Sequence, residues 1–153
     1  MGSASNGPIL VTFEGGSSGG NLFLDLNTLE KSRIDLPSDW SRTLHQHSIV
    51  HAAPGGQVFS ICRKGTSPPG LTTIRIQGNT AEVAYRHDTS GVAVPSRDGS
   101  LMFNAMGIYD PLLREVADEA CLNSGIPPVY SDFYFVRGAD GKTFQLHRGG
   151  QSR

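Results

Sequence analysis

The sequence is poor in cysteine, in charge and in long apolar runs. Two cysteines, Cys62 and Cys121, stand among 153 residues, in no zinc-binding spacing and no Cys-x-x-Cys motif, so they could be buried thiols or form one bridge. The formal net charge of -1 offers no basic surface to attract nucleic acid or an anionic membrane. No apolar run reaches the ~18 residues of a membrane-spanning helix. We therefore expect a soluble chain with no nucleic-acid partner and no transmembrane segment, and the sequence indicates no cofactor.

Glycine and proline, by contrast, are abundant. The 19 glycines and 9 prolines favour many short strands joined by turns, which is typical of a mainly β protein. The length suits one domain with a core of its own. We expect a single β domain over residues 9–148, a disordered tail over residues 149–153, and a disordered tail or expression leader over residues 1–8. The cellular compartment stays open.

Three short segments resemble one another and point to an internal repeat. Residues 53–59, 96–102 and 138–144 each carry a Gly-Gly or Asp-Gly pair, then a polar residue, then an apolar or β-prone stretch. The second glycines of the pairs, Gly56, Gly99 and Gly141, are 43 and 42 residues apart. Such pairs predict tight type I′ hairpin turns, in which both central residues need φ > 0. A turn that recurs at a constant period indicates stacked supersecondary units.

The residues between these turns fit short strands. Strands are predicted at 9–13, 22–26, 31–36, 44–52, 58–62, 70–76 and 81–86, with turns at Asn27-Thr28 and Gly78-Asn79. Residues 70–76 alternate, so that one face is apolar and the other polar.

One stretch departs from this pattern and predicts a helix. Its apolar residues follow helical spacing over residues 111–122. Asp110 is a suitable N-cap and Pro111 fits the first helical position, while Gly125 and the following prolines end the segment. The competing interpretation is a strand over residues 112–116, as in the other units.

The turn sequences resemble those of divergent β-propeller and WD-type repeats. The residues that carry the resemblance are Ala53-Pro54-Gly55-Gly56, Ser96-Arg97-Asp98-Gly99 and Ala139-Asp140-Gly141, and the likeness extends over about residues 9–147. It implies antiparallel units of about four strands that stack as blades. Three units are fewer than the roughly four to eight blades of a closed ring. The resemblance therefore implies either a ring assembled from two or more copies or one part of a larger propeller. A compact β-sandwich with one helix is the alternative fold.

The candidate binding residues belong to predicted loops. Trp40 and Arg42 are residue types that dominate interface energies, although Trp40 could equally pack beneath a loop. Pro68 and Pro69 stiffen a second loop that could present a surface. Loops at one end of a rigid stack of sheets are where binding usually resides.

Two histidine clusters complete the candidates. On a strand, His45, His47 and His51 would share one face, as metal ligands often do. His87, Asp88 and Ser90 form a poor catalytic triad, because neighbours on an extended chain point to opposite faces, and we interpret them as a structural hydrogen-bond network.

The sequence thus favours a non-enzymatic binding or assembly module that acts through the loops of a propeller-like scaffold. Its partner would be another protein, or further copies of the chain through self-association as a dimer or more, because open strand edges invite pairing. Two alternatives remain: a domain of a larger metal-dependent enzyme that uses His45, His47 and His51, and a carbohydrate-binding propeller.

Overall fold

The computed structural model describes residues 7–11, 22–37, 48–63, 70–87, 89, 91–104, 106–117, 133–137 and 144–148. These ranges hold twelve strands and no helix, so the expected mainly β, antiparallel fold is confirmed. The strands are β1 (Ile9–Val11), β2 (Leu22–Leu24), β3 (Ser48–Ala52), β4 (Val58–Arg63), β5 (Gly70–Gln77), β6 (Thr80–His87), β7 (Val94–Pro95), β8 (Met102–Asn104), β9 (Gly107–Tyr109), β10 (Glu115–Ala117), β11 (Phe133–Arg137) and β12 (Phe144–Arg148). Within the same ranges, no helix has the length and apolarity to cross a membrane.

The strands form two four-stranded sheets and two strand pairs. Strands β3 to β6 pair in sequence order to make a central sheet, and β7 to β10 make a second sheet in the same way. Strands β1 and β2 form one pair, and β11 and β12 form another. Every named strand pairing is antiparallel, as short connections require.

Two of the turns expected from the repeat share one hydrogen-bond pattern. The amide of Gly56 donates to the carbonyl of Ala53 (2.8 Å), and the amide of Gly99 donates to that of Ser96 (3.0 Å). In each turn, the first residue also donates to the carbonyl five residues on, at 2.8 Å in both cases. The predicted type I′ geometry is wrong, because only the second residue of each Gly-Gly or Asp-Gly pair has positive φ, 72° at Gly56 and 71° at Gly99. Longer loops built around a hydrogen-bonded turn need only that one residue in the left-handed region.

The hairpin between β5 and β6 forms where it was expected. Gln77 pairs with Thr80, leaving Gly78 and Asn79 as the two-residue loop. Gly78 has φ of 59° and Asn79 does not have positive φ, which matches a type II′ turn.

The strand predicted at residues 31–36 reduces to two isolated bridges, Leu24 with Lys31 and Asp35 with Thr80. The second bridge is parallel: the Asp35 amide donates to Asn79 (2.7 Å), and the Ala81 amide donates to Asp35 (3.0 Å). To continue this ladder, residue 37 would have to donate an N–H. Residue 37 is Pro37, which has none, so the ladder ends there.

The helix expected from residue 111 is wrong over the part that the structure describes. The Asp110 carbonyl accepts from the Leu113 amide, and its Oδ1 accepts from the amides of Leu112 and Arg114, each at 2.9 Å. These bonds close a turn, and the next residues form β10, which pairs with β9. Asp110 thus caps a turn rather than a helix. The chain then continues as β10, whose backbone pairs with that of β9. Residues 118–122 lie outside the described residues.

The core lies on both faces of the central sheet. One cluster joins β1 and β2 to the central sheet through buried residues of the three elements: Leu10, Phe23, Phe59, Ile61, Ile74, Ile76 and Ala81. A second cluster covers the opposite face and reaches the second sheet: Ala53, Val58, Leu71, Ala93, Met102, Tyr109 and Leu113. Because neighbouring strand residues point to opposite faces, β4 sends Phe59 into the first cluster and Val58 into the second. Each such fully buried aliphatic or aromatic side chain contributes ~1.5–3 kcal/mol relative to exposure.

Polar contacts also join the central and second sheets. The buried hydroxyl of Ser60 donates to the carbonyl of Ala93, and the Thr73 hydroxyl donates to that of Pro111 at 2.6 Å. These hydroxyls satisfy backbone carbonyls that lie just before β7 and just after β9, so the expected polar face of β5 is buried against the second sheet.

Candidate functional site

One end of the central sheet gathers the points from which the predicted loops leave. Ser48 pairs with Arg63, and Gly70 pairs with His87, so these four strand ends lie side by side. We call this edge the loop end. Residues 64–69 are joined to it at Arg63 and Gly70, and residues 88–90 at His87. Residues 38–47 are joined to it at Ser48, and at their other end to Pro37, which follows the Asp35–Thr80 bridge at the opposite end of the sheet. All but one of the site residues predicted from sequence are therefore in, or directly join, a segment attached to the loop end; the exception is His51.

Only two of those residues are among the described ones. His87 is exposed at the end of β6, and His51 is half-buried in β3, paired with Ser60. The others lie outside the described residues: Trp40, Arg42, His45, His47, Pro68, Pro69, Asp88 and Ser90.

An exposed aromatic pair marks the described part of the loop end. Tyr85 is 51% exposed, and its ring stands edge-on to that of His87, with centroids 6.2 Å apart and planes at 70°. The Tyr85 ring lies over Gly70 on the neighbouring strand, where a Cβ would overlap the ring. Glycine leaves room for the tyrosine ring in this position, a cross-strand arrangement in which an aromatic ring covers a glycine.

Sequence reasoning missed Tyr85, although a signal was present. Tyr85 follows the apolar positions Ala81 and Val83 at a spacing of two, on the face that packs against β1 and β2. Tyr85, the third residue of the series, is exposed on that face. The feature that could have identified Tyr85 is Gly70, which lies two positions before Thr72, the residue that pairs with Tyr85.

On the opposite face of the loop end, Arg86 contacts residues of the second sheet. Its guanidinium carbon lies 4.7 Å from the centre of the Tyr109 ring, and Nη2 lies 3.4 Å from Glu115 Oε2. The ion pair is partly exposed, so it contributes little by itself. The cation–π contact contributes about 0.5–1 kcal/mol and links β6 to β9. The strand that carries Tyr85 and His87 is thus held by the second sheet.

The described cysteine, Cys62, is a poor nucleophile. Burial raises the pKa of the Cys62 thiol, which keeps it protonated and poorly nucleophilic. Cys121 lies outside the described residues. No group of three metal-ligating side chains occurs within the described ranges, which exclude His45 and His47. The metal site at His45, His47 and His51 stays a prediction.

The arrangement suits recognition of another molecule by aromatic contact. Tyrosine presents a large, stiff, amphipathic surface with little rotamer entropy to lose, which is why tyrosines recur in binding surfaces. Comparisons of the chain with protein-family models, with curated proteins and with solved structures found no match. The case for a function therefore rests on the geometry of the loop end.

Proposed function

We propose that the protein is a non-enzymatic binding or assembly module whose partner docks on the loop end of a propeller-like scaffold. The observation that carries the proposal is the convergence of Ser48, Arg63, Gly70 and His87 at one edge, beside the exposed ring of Tyr85. Loops fixed to the end of a packed sheet are positioned by it and free to vary in sequence, which suits binding.

Three features support the propeller-like scaffold. The two four-stranded sheets are consecutive antiparallel meanders, as blades are. Their first turns, at Ala53–Gly56 and Ser96–Gly99, have matching hydrogen bonds at a spacing of 43 residues. The sheets also pack face to face through an apolar cluster. A repeated blade accounts for all three.

The partner that we favour is a protein, including further copies of this chain. Tyrosine, tryptophan and arginine are the residues that most often dominate protein interfaces. The loop end carries Tyr85 itself, and Trp40 and Arg42 belong to a segment joined to it at Ser48. Partner binding and self-association are distinguished by measuring the mass of the pure protein first.

The test combines solution mass with matched variants. Light scattering on a gel-filtration column gives a multiple of 16.4 kDa if copies associate. In crosslinking or pull-down, Trp40→Ala and Tyr85→Ala should each weaken the complex by roughly tenfold or more, as interface anchors do. The control is Leu29→Ala, because Leu29 is 64% exposed and apolar but lies in the hairpin after β2, away from the loop end. Equal effects of Tyr85→Ala and Leu29→Ala, or a monomer that captures nothing, would refute the proposal.

Carbohydrate binding is a second candidate, favoured by one observation. One face of the Tyr85 ring covers Gly70 while half of the residue is exposed, an arrangement that can stack against the apolar face of a sugar ring. A glycan array with the purified chain tests this. Binding that Tyr85→Ala abolishes and Tyr85→Phe retains would support it, and an array without hits would end it.

A further inference from the structure

A pocket at the opposite end of the central sheet lies away from the loop end. It has a volume of about 410 Å³ and sits between the start of β1, the hairpin after β2 and the β5–β6 turn. Its walls include Pro8, Leu26, Ile34 and Ile76, and its polar side chains are Asp25, Asn27 and Ser32. The volume falls within the ~300–1,000 Å³ of small-ligand and side-chain sites.

Among the described residues that line the pocket, Asp25 is the one with a charged side chain. The nearby cations do not enter the pocket, because residues 31–37 alternate regularly between exposed and half-buried positions. Lys31, Arg33 and Asp35 take the exposed positions, whereas Ser32 and Ile34 point inward and line the pocket. The charge that faces a ligand is therefore negative.

The local backbone holds the Asp25 carboxylate in place. Its Oδ1 accepts hydrogen bonds from the amides of Asn27 (2.8 Å) and Thr28 (3.0 Å). These backbone bonds, the Thr28 bond first, lower the pKa of Asp25 below its usual value, so the carboxylate is ionised at neutral pH. Neither bond uses Oδ2.

We propose that this pocket receives the guanidinium side chain of an arginine from a protein partner. A planar guanidinium presents five N–H donors, which suits the acceptors of Asp25, Asn27 and Ser32 together. Its alkyl stem would pack against Ile34 and Ile76. A single carboxylate supplies too few oxygen ligands for a calcium ion, which takes roughly six to eight. The proposal does not depend on the loop end, because the pocket lies at the other end of β5.

The test uses small probes and the full chain. Propylguanidinium is titrated while the amide resonances of Asn27 and Gly78 are followed by NMR, with propylurea as a neutral probe of the same shape. Saturable shifts at both amides are expected with propylguanidinium and not with propylurea. Butylammonium, which copies a lysine, is expected to bind more weakly because it has fewer donors.

Asp25→Asn is the decisive variant. Asparagine keeps an Oδ1 that can accept from Asn27 and Thr28, so the turn is retained while the charge is lost. Because Asp25 is exposed, we expect affinity for propylguanidinium to fall by roughly two- to fivefold. Asp110→Asn, which changes the turn after β9 in the same way, should leave the affinity unchanged. Ser32→Leu, which fills the pocket, should abolish the shifts while thermal denaturation shows the variant folded.

Several results would overturn the inference. These are the absence of saturable shifts in the parent protein, equal binding of propylurea, and an unchanged affinity in Asp25→Asn. Butylammonium that binds as tightly as propylguanidinium would overturn the assignment to arginine.

Discussion

The turn at Gly99 offers the sharpest test of how the sheets pack. Gly99 has φ of 71°, and a Cβ added there would lie 2.7 Å from Val58 Cγ2 and 2.9 Å from Val58 Cβ. Val58 is 4% exposed within the cluster between the two sheets, so it has little room to move. Gly99→Ala therefore meets both backbone strain and a clash with the neighbouring sheet.

The two contributions can be estimated separately. An L-residue in the left-handed region costs ~1–2 kcal/mol, and forcing a methyl group into packed surroundings costs ~1–3 kcal/mol. We expect Gly99→Ala to lower the free energy of unfolding by about 2–5 kcal/mol, which corresponds to a Tm lower by roughly 4–20 °C for a chain of this length.

Two other glycines separate these contributions experimentally. Gly78 has φ of 59° but nothing within 4 Å of a Cβ, so Gly78→Ala should cost only the backbone strain, ~1–2 kcal/mol. Gly55 has neither problem, with its nearest neighbour at 3.8 Å, and Gly55→Ala should be neutral or stabilising by up to ~1 kcal/mol. Urea denaturation of the three variants measures the series. A loss in Gly99→Ala of less than ~2 kcal/mol, no more than backbone strain alone, would refute the close approach of the two sheets.

Three further predictions concern stability. Leu29 and Leu113 both have positive φ, 57° and 59°, but Leu29 is 64% exposed and Leu113 is 6% exposed. Leu29→Gly should therefore stabilise the protein by ~0.5–1 kcal/mol, and Leu113→Gly should destabilise it by ~1–3 kcal/mol; thermal denaturation that shifts both in one direction would contradict this. Thr73→Val keeps the shape of the side chain but leaves the Pro111 carbonyl without its donor, so urea denaturation should show a loss of ~1–3 kcal/mol, and no loss would exclude that bond. Burial alone would raise the pKa of Asp98, but hydrogen bonds from the Ser96 hydroxyl and from the amide and hydroxyl of Ser100 hold it below 3.8. The resulting stability is present above about pH 4 and is lost as the pH falls through the lower folded-state pKa, so acid denaturation of Asp98→Asn should be less steep than that of the parent protein. Acid denaturation curves of equal steepness for Asp98→Asn and the parent protein would contradict this prediction.

Local sequence was sufficient to place the first six strands and the turns between β3 and β6. The strands β4, β5 and β6 begin and end within one residue of their predicted bounds, because glycine pairs and runs of β-branched residues act over a few neighbours. The turn at Gly99 also formed where it was expected. Its type was not foreseen, since the number of residues with positive φ depends on how the two strands are registered.

The segment after Asp110 shows where local pattern failed. Its apolar spacing fits a helix, and Asp110 and Pro111 are good residues for a helix start. In the structure the same aspartate closes a turn, and Glu115 pairs with Tyr109. A helix and a strand were both compatible with the local sequence, and the presence of an available strand edge on β9 decided between them.

The candidate binding surface also depended partly on residue type and partly on the tertiary structure. The sequence identified residue types suited to binding, such as Trp40, Pro68 and Pro69, but not that Ser48, Arg63, Gly70 and His87 bring their segments to one edge. That juxtaposition follows from the antiparallel register of four strands.

By itself, then, the sequence determined the mainly β class, the positions of the first six strands and the turn that recurs at residues 53–56 and 96–99. Only the tertiary structure decided which faces are buried. Thr73 lies on the expected polar face of β5 and is fully buried, and its hydroxyl donates to the carbonyl of Pro111. The tertiary structure also left Tyr85 exposed and formed the pocket beside Asp25. The reason is physical: turns and strand preference arise from contacts between near neighbours, whereas burial and pockets arise between residues that are distant in the chain and meet only when sheets pack.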